Sequence, residues 1–489
     1  MTGEAQADRF RWWPAVAVLT LGGLVLRLAA ARGGLWTDEA WSMINAQAAR
    51  DPLGVFLRIN HDNNHHLISL WLQAVGVHAP PMLARAPAIL AGTLAIPAAA
   101  LLFVRRSPIA AVAAAALFAL SPIMVTYGSE ARGYAPMVLA ALLMLWLALG
   151  ALESRGGRAT PWLIALAAAL GMLSNLTMLA PVGLLSIWVL LEKRSTVGAA
   201  AAIPATLALM GPAAAICGAV LALVLGAAFM SPTGLQVGGY TPFSLHDYVV
   251  ALSDLTGWTL GLTFSLRWFA IPVLLAIGGL LVARPPEWLG RRGRLYGILI
   301  LGVPVAIALE RTGNALFARY YLCSAIGLLL LTSEWIGHAV QRPGVSRAVC
   351  AAACALFLVT AVWRDSELIQ LKRGEPDRAV RIIAEQAPRG AQVAIGTERL
   401  FAPVMAAAER VDYPLAEAEG CAPAEFLIAV RTRSTEATVM HCGHPMHAIA
   451  SSRTTALTGD AWVLYRQGLQ TAGPPVSGPA PRRAKIAAS

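Results

Sequence analysis

Long apolar runs occupy most of this 489-residue chain, and they constrain its fold more than any other feature. A run of about 20 apolar residues crosses a hydrocarbon core of about 30 Å as a helix. With 57% hydrophobic and 13% charged residues, the composition lies outside that of soluble domains. The sequence predicts an all-α polytopic membrane protein with about eleven transmembrane helices, near 12–31, 87–104, 107–126, 134–152, 160–173, 178–191, 202–230, 264–283, 295–309, 320–338 and 347–363.

The first run admits a second interpretation as a cleavable signal peptide. Arg9 and Arg11 precede it, and Ala29-Ala30-Ala31 at its end resembles a signal-peptidase site. Its length of about 20 residues favours an uncleaved helix, because a signal core is usually about 7–15 residues. Arg27 within the run is expected to extend its side chain to the outer surface.

The net charge of +11 does not indicate nucleic acid, because Lys and Arg punctuate the apolar runs instead of clustering on an exposed face. If the N-terminus is cytoplasmic, the short basic loops all fall on the cytoplasmic side, as the positive-inside rule requires. We predict the bacterial inner membrane as the location. The basic loops contain Arg105-Arg106, Arg155 and Arg158, Lys193-Arg194, the 284–294 cluster, and Arg342 with Arg347.

The composition becomes mixed and charged after about Trp363, where an odd number of spans places the chain outside. We predict a transmembrane domain over 1–363, a small extracytoplasmic α/β domain over 364–472 and a disordered tail over 473–489. Within the α/β domain, the patterns predict helices over 377–386 and 399–410 and strands over 392–396, 426–430 and 462–465. An oxidising compartment would allow Cys421 and Cys442 to pair, but the sequence leaves that disulfide open.

Two adjacent carboxylates follow the first apolar run, in the segment Trp36-Thr37-Asp38-Glu39-Ala40-Trp41. They lie near the start of the predicted first outer loop, 32–86. A carboxylate held at the boundary of water and lipid can act as general base on an acceptor hydroxyl or orient it for attack. We therefore predict Asp38 and Glu39 as catalytic residues. In the alternative interpretation Thr37 caps a helix, and the two acids only stabilise its first turn.

The same loop contains the dense polar run Asn60-His61-Asp62-Asn63-Asn64-His65-His66. The apolar stretch that follows, 67–77, is too short to span a membrane. The His and Asp side chains could hold a divalent metal, remain solvated, or contact a sugar or phosphate through their donors and acceptors. We predict that His61, Asp62, His65 and His66 bind substrate, and a divalent metal stays possible as cofactor.

Two further outer turns bring ionisable side chains close to apolar runs, where such groups are costly and often functional. We predict as substrate-binding residues Glu130, Arg132 and Tyr134 in one turn, and Arg319 and Tyr320 in the other. The guanidinium of Arg319 suits a phosphate. The alternatives are a local Glu130–Arg132 pair and simple anchoring of Tyr134 and Arg319 at the interface. The outer loop 231–263 is either a cover over a cavity or a spacer.

Four segments taken in order resemble a known pattern. They are the segment 36–41, the polar run 60–66, Leu83-Ala84-Arg85-Ala86-Pro87, and Ser129-Glu130-Ala131-Arg132-Gly133-Tyr134-Ala135. Together they resemble the GT-C membrane glycosyltransferases. More narrowly, the likeness is to the bacterial branch related to protein O-mannosyltransferases, aminoarabinose transferases and RgtA/B/C/D-like transferases. It is strongest over about residues 12–200.

The resemblance implies that the acid of the first outer loop, Asp38 here, is catalytic. It also implies a polyprenyl-phosphate sugar donor, inversion at the sugar carbon, and transfer to an extracytoplasmic lipid, glycan or protein in cell-envelope biosynthesis. The chain departs from the family in one respect. The family's His-rich stretch usually ends in His-Pro-Pro, whereas His65-His66 is followed here by Leu67-Ile68, so no specific contact carries over to these histidines.

A polytopic transporter or lipid-linked-sugar flippase is the main alternative, since it would also cluster polar groups near outer helix ends. Such proteins usually contain internal repeats and ionisable groups near the middle of the bilayer. The sequence shows no repeat, and its charges lie at the ends of the apolar runs. It also contains no GxGxxG fingerprint for a nucleotide sugar, which suits a lipid-linked donor.

Overall fold

The computed structural model describes residues 12–62, 64–232, 234–236, 241–262, 267–432, 435–455 and 457–468. These residues form two compact units. The first contains the residues up to Ala29, Asn60–Ile68 and Ala86–Ser366, and the second contains Ala30–Ile59, Ser69–Arg85 and the residues from Glu367. The predicted tail 473–489, the arginines Arg9 and Arg11, and Asn63 lie outside the described residues. The predicted domain bounds at 363 and 472 stay a prediction.

Helices build the first unit. Its longer helices are Trp13–Ala30, Ala86–Leu101, Pro108–Leu120, Tyr134–Leu152, Thr160–Ser174, Leu179–Val197, Ala199–Met230, Leu245–Leu260, Arg267–Ala283, Arg291–Glu310, Leu322–Ala339 and the part of Val345–Leu371 up to Ser366. Short helical turns at Pro122–Tyr127, Leu176–Met178 and Ala318–Tyr321 connect them. The second unit contains the helices Thr37–Ala48, Pro52–Leu57, most of His66–Val75, Pro81–Ala84, Pro376–Gln386 and Glu398–Arg410.

Among the described residues, seven helical segments are long and apolar enough to cross a membrane. They are Trp13–Ala30, Tyr134–Leu152, Leu176–Val197, Ala199–Met230, Arg291–Glu310, Ala318–Ala339 and Val345–Gly374. The other four predicted spans fall on the shorter helices Ala86–Leu101, Pro108–Leu120, Thr160–Ser174 and Arg267–Ala283. The mostly helical membrane class is therefore confirmed, whereas the count of eleven spans stays a prediction.

Proline explains why the predicted span 107–126 is broken. Ser121 has an extended backbone, and a new short helix begins at Pro122. A residue before proline avoids the helical conformation, and proline itself has no N–H to donate. The carbonyl of Phe118 therefore loses the donor that position 122 would supply in a continuous helix.

Arg27 supplies a replacement donor to that carbonyl. Its Nη2 lies 2.9 Å from the Phe118 oxygen, and its Nη1 lies 3.1 Å from the Gly23 oxygen. The side chain is only 1% exposed, and Gly92 and Gly128 leave room for it, because a Cβ at either would lie within 3 Å of the guanidinium Nε. The expectation that Arg27 extends to the outer surface was wrong, because broken-helix carbonyls bind it inside the protein.

The predicted outer loop 231–263 contains an unpredicted helix, Leu245–Leu260. Ser244 caps its first turn by accepting from the backbone N–H of Asp247, and Gly261 ends it with a φ of 71°. The helix packs into the first unit, where the Tyr248 hydroxyl donates to the Pro304 carbonyl at 2.9 Å. At least this part of the loop is built into the helical core.

A six-stranded sheet forms the centre of the C-terminal part. Its strands are β1 Ala391–Ile395, β2 Leu415–Glu417, β3 Phe426–Val430, β4 Thr438–His441, β5 His444–Ser451 and β6 Trp462–Gln467. Their order in the sheet is β2-β1-β3-β6-β5-β4. The β1 strand pairs in parallel with β2 and β3, and the other pairs are antiparallel. Phe426, Ile428 and Leu464 pack against Ile383 and Val404 of the two helices. The predicted α/β unit is confirmed.

Cys421 and Cys442 form a disulfide in this sheet domain, with 5.5 Å between their Cα atoms. The bond joins the segment before β3 to the turn between β4 and β5. The pairing that the sequence left open is thereby present in the structure.

Candidate active site

Asp38 lies in the first turn of the helix Thr37–Ala48, in the second unit, and its side chain is partly exposed. The alternative interpretation placed the cap of this helix at Thr37, but the N-cap residue is Trp36. Asp38 and Glu39 do lie in the first turn, as that interpretation stated. The Thr37 hydroxyl instead lies 2.8 Å from a carboxylate oxygen of Asp460 and 2.9 Å from the carbonyl oxygen of Arg399. The turn that carries Asp38 is therefore fixed by the C-terminal sheet domain within its own unit.

Glu39 is fully buried and forms a bidentate ion pair with Arg85. The Arg85 Nε lies 2.9 Å from Glu39 Oε1, and Nη2 lies 2.5 Å from Oε2. Both side chains are 0% exposed, and Glu39 Oε2 also accepts from the Trp36 backbone N–H at 3.1 Å. This geometry favours a positioning role for Glu39 over direct contact with a substrate, because contact would require breaking a buried pair.

Arg85 also holds the backbone that precedes Asp38. Its guanidinium donates to the carbonyls of Ala31, Gly33 and Gly34 at 2.7, 2.8 and 2.7 Å. Arg85 lies in one of the four segments that carry the family resemblance, but the sequence predicted no binding or catalytic role for it. The signal was present, since a lone arginine beside the apolar run 87–104 needs a buried partner or an interface.

A second buried arginine, Arg373, donates to the carbonyl of Ala30. It lies in a left-handed turn in which Lys372, Arg373, Gly374 and Glu375 have φ values of 46°, 55°, 84° and 48°. The Trp462 indole donates to the Gly374 carbonyl at 2.7 Å and ties this turn to β6. The backbone that precedes Asp38 is thus held by two guanidiniums, those of Arg85 and Arg373, from distant parts of the chain.

The first unit gathers a separate polar cluster around His65. The His65 Nδ1 lies 2.9 Å from the carbonyl oxygen of Ser174, which can only accept, so Nδ1 carries the proton. Burial, and then the positive charge of Arg132, hold the pKa of His65 well below 6.5 against the opposing effect of the Ser174 bond. His65 is therefore neutral at physiological pH, with its buried Nε2 available as an acceptor.

Arg132 and Tyr134 lie beside His65. The Tyr134 ring meets the His65 ring edge-on at 5.4 Å, and the Arg132 guanidinium carbon lies 5.6 Å from the Tyr134 ring centre. Arg132 is 3% exposed and Glu130 is fully buried. A guanidinium over an aromatic face is a favourable arrangement that keeps a buried cation in place.

Arg319 is the second cation of this cluster, and its charge also lowers the pKa of His65. Its guanidinium carbon lies 4.2 Å from the Phe317 ring centre and 5.7 Å from that of Tyr320. Tyr320 lies within electrostatic range of Tyr134 and Asp62. The structure therefore brings together five of the predicted binding residues in one cluster: His65, Arg132, Tyr134, Arg319 and Tyr320.

The remaining histidines lie at the edge of this cluster. His61 Nδ1 is 2.8 Å from the Asp62 carboxylate, and the Asp62 N–H donates to the Gln236 carbonyl at 2.9 Å. His66 begins the helix His66–Val75, and burial lowers its pKa to about 4. Within the ranges that the structure describes, no three His, Cys, Asp or Glu side chains are grouped to hold a metal ion.

A large apolar cavity of about 940 Å³ also lies in the first unit. It opens between the helices Pro108–Leu120, Leu322–Ala339 and Val345–Leu371. Its lining includes Leu117, Leu120, Leu260, Trp335, Ile336 and Phe357.

No protein family profile matches this chain, and no curated protein matches it. Solved structures do match this chain in fold. The crystal structure of ArnT from Cupriavidus metallidurans bound to undecaprenyl phosphate has 14% sequence identity and a TM-score of 0.54, over 94% of this chain and 99% of that chain. Its apo form gives 13% identity and a TM-score of 0.53 over the same shares.

The archaeal oligosaccharyltransferase AglB from Archaeoglobus fulgidus, in complex with an inhibitory peptide and a dolichol-phosphate, also matches. The match covers 86% of this chain and 70% of that chain, at 12% identity. Its TM-score is 0.46. The fold that the motif order predicted is confirmed by the ArnT structures, which extend the likeness beyond residues 12–200 to nearly the whole chain.

Proposed function

We propose that the chain is an inverting glycosyltransferase that moves a sugar from a polyprenyl-phosphate donor to an extracytoplasmic acceptor. The observation that carries this proposal is the buried site in which Arg132 and Arg319 flank the neutral His65. Two guanidiniums in a poorly solvated site favour a dianionic or monoanionic phosphate, which they can bind bidentately. Support also comes from the fold shared with ArnT, which has been crystallised with undecaprenyl phosphate.

The donor consists of a phosphosugar headgroup and an isoprenoid chain, and we assign a separate part of the first unit to each. The phosphate is assigned to Arg132 and Arg319, with hydrogen bonds to the sugar from Tyr134, Tyr320 and the His65 Nε2 acceptor. The apolar cavity of about 940 Å³ has the lining that an isoprenoid chain requires. His61, Asp62, His66 and Glu130 are assigned to the surroundings of the sugar.

Asp38 is proposed as the general base. Its carboxylate is partly exposed, so an acceptor hydroxyl can reach it, and Arg85 and Arg373 fix the backbone that carries it. Glu39 is proposed to position this turn through its ion pair with Arg85. In this proposal the Asp38 carboxylate reacts, and the Glu39 carboxylate only holds the turn that positions it.

The proposed reaction is one displacement at the anomeric carbon. The acceptor oxygen attacks from the face opposite the phosphate while its proton passes to Asp38. The bond between the anomeric carbon and the phosphate oxygen breaks, its electron pair stays on the polyprenyl phosphate, and Arg132 and Arg319 stabilise that charge. The configuration at the sugar carbon is inverted.

The proposal includes the predicted membrane arrangement. The N-terminus lies in the cytoplasm, the transmembrane domain covers 1–363, and the α/β domain over 364–472 lies outside the bacterial inner membrane. Envelope biosynthesis is the process that joins a lipid-linked donor to an acceptor on that side.

The test is transfer of a radiolabelled sugar from polyprenyl phosphate by the full-length protein in reconstituted membranes. Asp38→Asn should lower the rate by about 10²–10⁴-fold, the contribution typical of a general base. Asp247→Asn is the matched control, because Asp247 also lies partly exposed in the first turn of a helix. Full activity of Asp38→Asn would remove the assignment, and transport of the intact lipid-linked sugar without transfer would support a flippase instead.

A further inference from the structure

The imidazole of His65 lies between a helix end and two cations of the first unit. Its Nδ1 donates to the carbonyl of Ser174 at 2.9 Å, and Ser174 is the last residue of the helix Thr160–Ser174. A carbonyl at a helix end has no donor within the helix and lies at the negative end of the helix dipole, so it favours a protonated imidazole. Burial, and then the positive charges of Arg132 and Arg319, act in the opposite direction and lower the pKa of His65.

Close packing fixes the direction of this imidazole ring. Gly133 passes so near to the Ser174 contact that a Cβ at position 133 would lie 1.7 Å from the Ser174 oxygen and 3.0 Å from His65 Nδ1. The Tyr134 ring packs edge-on against the imidazole at 5.4 Å. These contacts hold Nδ1 toward Ser174 and direct Nε2, on the far side of the ring, away from it.

The Nε2 atom is the part of His65 that can meet a ligand. The side chain is 5% exposed, and within the part of the chain that the structure describes its buried Nε2 has no hydrogen-bond partner. A buried polar atom of this kind is costly unless a ligand or an ordered water completes it. Besides Arg132 and Arg319, the titratable groups that face His65 are Tyr134 and the neighbouring His66.

A phosphate bound by Arg132 and Arg319 would cancel the charges that help to keep His65 neutral. The donor of the proposed function is a phosphodiester with one negative charge, whereas the polyprenyl phosphate left after transfer is a monoester with about two. We propose that His65 recognises this monoester, its Nε2 taking up one proton from water as the second phosphate charge forms and donating it in a hydrogen bond to a phosphate oxygen.

This step completes the proton balance of the proposed reaction. Before transfer, Nε2 is unprotonated and accepts from the sugar, as assigned above. After transfer, the sugar has left, and the imidazolium meets the phosphate in a charge-assisted hydrogen bond. The acceptor proton that passed to Asp38 returns to water, which offsets the proton taken up at His65. The inference rests on the proposed function, because it makes His65 a further catalytic residue that contacts the leaving phosphate.

The experiment is isothermal titration calorimetry of farnesyl phosphate, a short polyprenyl monoester, with the full-length protein in detergent. Repeating the titration in buffers of different ionisation enthalpy gives the number of protons taken up. At about pH 7.5 the free ligand is already largely doubly charged, so a proton taken up belongs to the protein. We expect about one proton per bound phosphate, and an affinity that falls by up to about tenfold per pH unit as the pH rises.

Two histidine variants locate the proton. His65→Asn keeps an amide N–H for the Ser174 carbonyl but cannot be protonated. It should abolish the proton uptake and weaken binding about tenfold or more, since a charge-assisted hydrogen bond is lost. His66→Asn is the matched control, because His66 is a buried histidine next to His65, and it should leave the proton uptake unchanged.

Two further probes test the chemistry of the ligand. Farnesyl methyl phosphate, a diester with a single charge, should bind with clearly less proton uptake, and equal uptake by the two esters would contradict recognition of the second charge. Inorganic phosphate should bind more weakly than farnesyl phosphate. Equal affinities would overturn the assignment to a polyprenyl ligand.

The outcomes separate this inference from the function on which it rests. Binding of farnesyl phosphate without proton uptake, or the same uptake by the wild type and His65→Asn, overturns the inference and leaves the proposed transfer standing. An active Asp38→Asn enzyme would refute the general base without changing these binding results. Absence of farnesyl phosphate binding would overturn both the donor site and the role of His65.

Discussion

Glu39 and Arg85 meet in a fully buried, two-bonded ion pair, with distances of 2.9 and 2.5 Å between their paired atoms. The remaining N–H groups of Arg85 donate to three backbone carbonyls just before Asp38. The pair therefore holds the conformation of the turn that carries Asp38 and also compensates two buried charges. Its loss should affect both stability and activity.

Replacing Arg85 by Met should lower the free energy of unfolding by about 3–5 kcal/mol, because Glu39 would be left as a buried charge without its partner. Denaturant titration of the full-length protein in mixed micelles would measure the change. The Arg85→Met, Glu39→Gln double variant should recover part of that loss. A single variant as stable as the wild type would show that the pair is unimportant.

Arg319→Ala should raise the KM for the lipid-linked donor about tenfold or more, since a charge-assisted hydrogen bond to phosphate would be lost. Steady-state transfer assays at varied donor concentration would show this. Arg311→Ala provides the control, because Arg311 is an exposed arginine of the same outer turn. An unchanged KM for Arg319→Ala would indicate that Arg319 only anchors the helix at the interface.

The low pKa of His65 predicts a loss of stability in mild acid. Because burial and Arg132 hold the folded-state pKa well below 6.5, the unfolded chain takes up a proton near pH 6.5 that the folded protein does not. Stability from His65 is therefore complete above about pH 7. It falls by up to about 1.4 kcal/mol per pH unit as the pH drops below 6.5.

His66, whose pKa is lowered to about 4, adds a loss of the same sign over the same range. Unfolding measured from pH 7.5 to pH 5 should give a shallower decline for His65→Gln than for the wild type. Equal slopes in the two proteins would contradict the assignment of His65 as a buried neutral side chain.

The disulfide between Cys421 and Cys442 closes a loop with a sequence separation of 21. Removing it with Cys421→Ser and Cys442→Ser should destabilise the sheet domain by about 3 kcal/mol. The bond also reports on the compartment, because it persists only under oxidising conditions. Thiol alkylation of the protein from intact cells should leave both cysteines unlabelled before reduction, and labelling before reduction would place the domain in the cytoplasm.

Gly374 and Gly344 offer a matched pair for testing the left-handed turn after the last long helix. Their φ values are 84° and 87°. A Cβ on Gly374 would lie 2.3 Å from the Asp460 carbonyl oxygen, whereas one on Gly344 would meet nothing within 4 Å.

Gly344→Ala should therefore cost about 1–2 kcal/mol for its backbone alone, and Gly374→Ala should cost clearly more and reduce transfer. Thermal unfolding with a transfer assay would separate the two variants. Equal effects would show that the contact with Asp460 is unimportant.

Local patterns predicted the parts of the fold that local physics determines. The long apolar runs, the helices near Asp377 and Arg399, and the strand Phe426–Val430 follow from hydrophobic periodicity, and the structure contains them. The strands β4 and β5 were missed because they are largely exposed, so their sequences show little alternation. The short β2 strand, of three residues, is too brief for any periodic signal.

The candidate site residues could be predicted from the sequence where ionisable side chains lie beside apolar runs. The structure groups His65, Arg132 and Arg319 from separate predicted turns. That they bind a ligand stays a prediction. The role of Arg373 beside the turn that carries Asp38 was not predictable. Arg373 holds Ala30 across most of the chain length, and such a contact depends on tertiary structure alone.

Arg27 supplies the hydrogen-bond donor that Pro122 lacks, so positions 27 and 122 depend on each other. Pro122 deprives the Phe118 carbonyl of its helical partner, and Arg27 donates to that carbonyl from inside an apolar helix. Restoring an N–H at position 122 would leave Arg27 competing for an acceptor already taken. We therefore expect homologous chains to keep Arg27 and Pro122 together or to lose both.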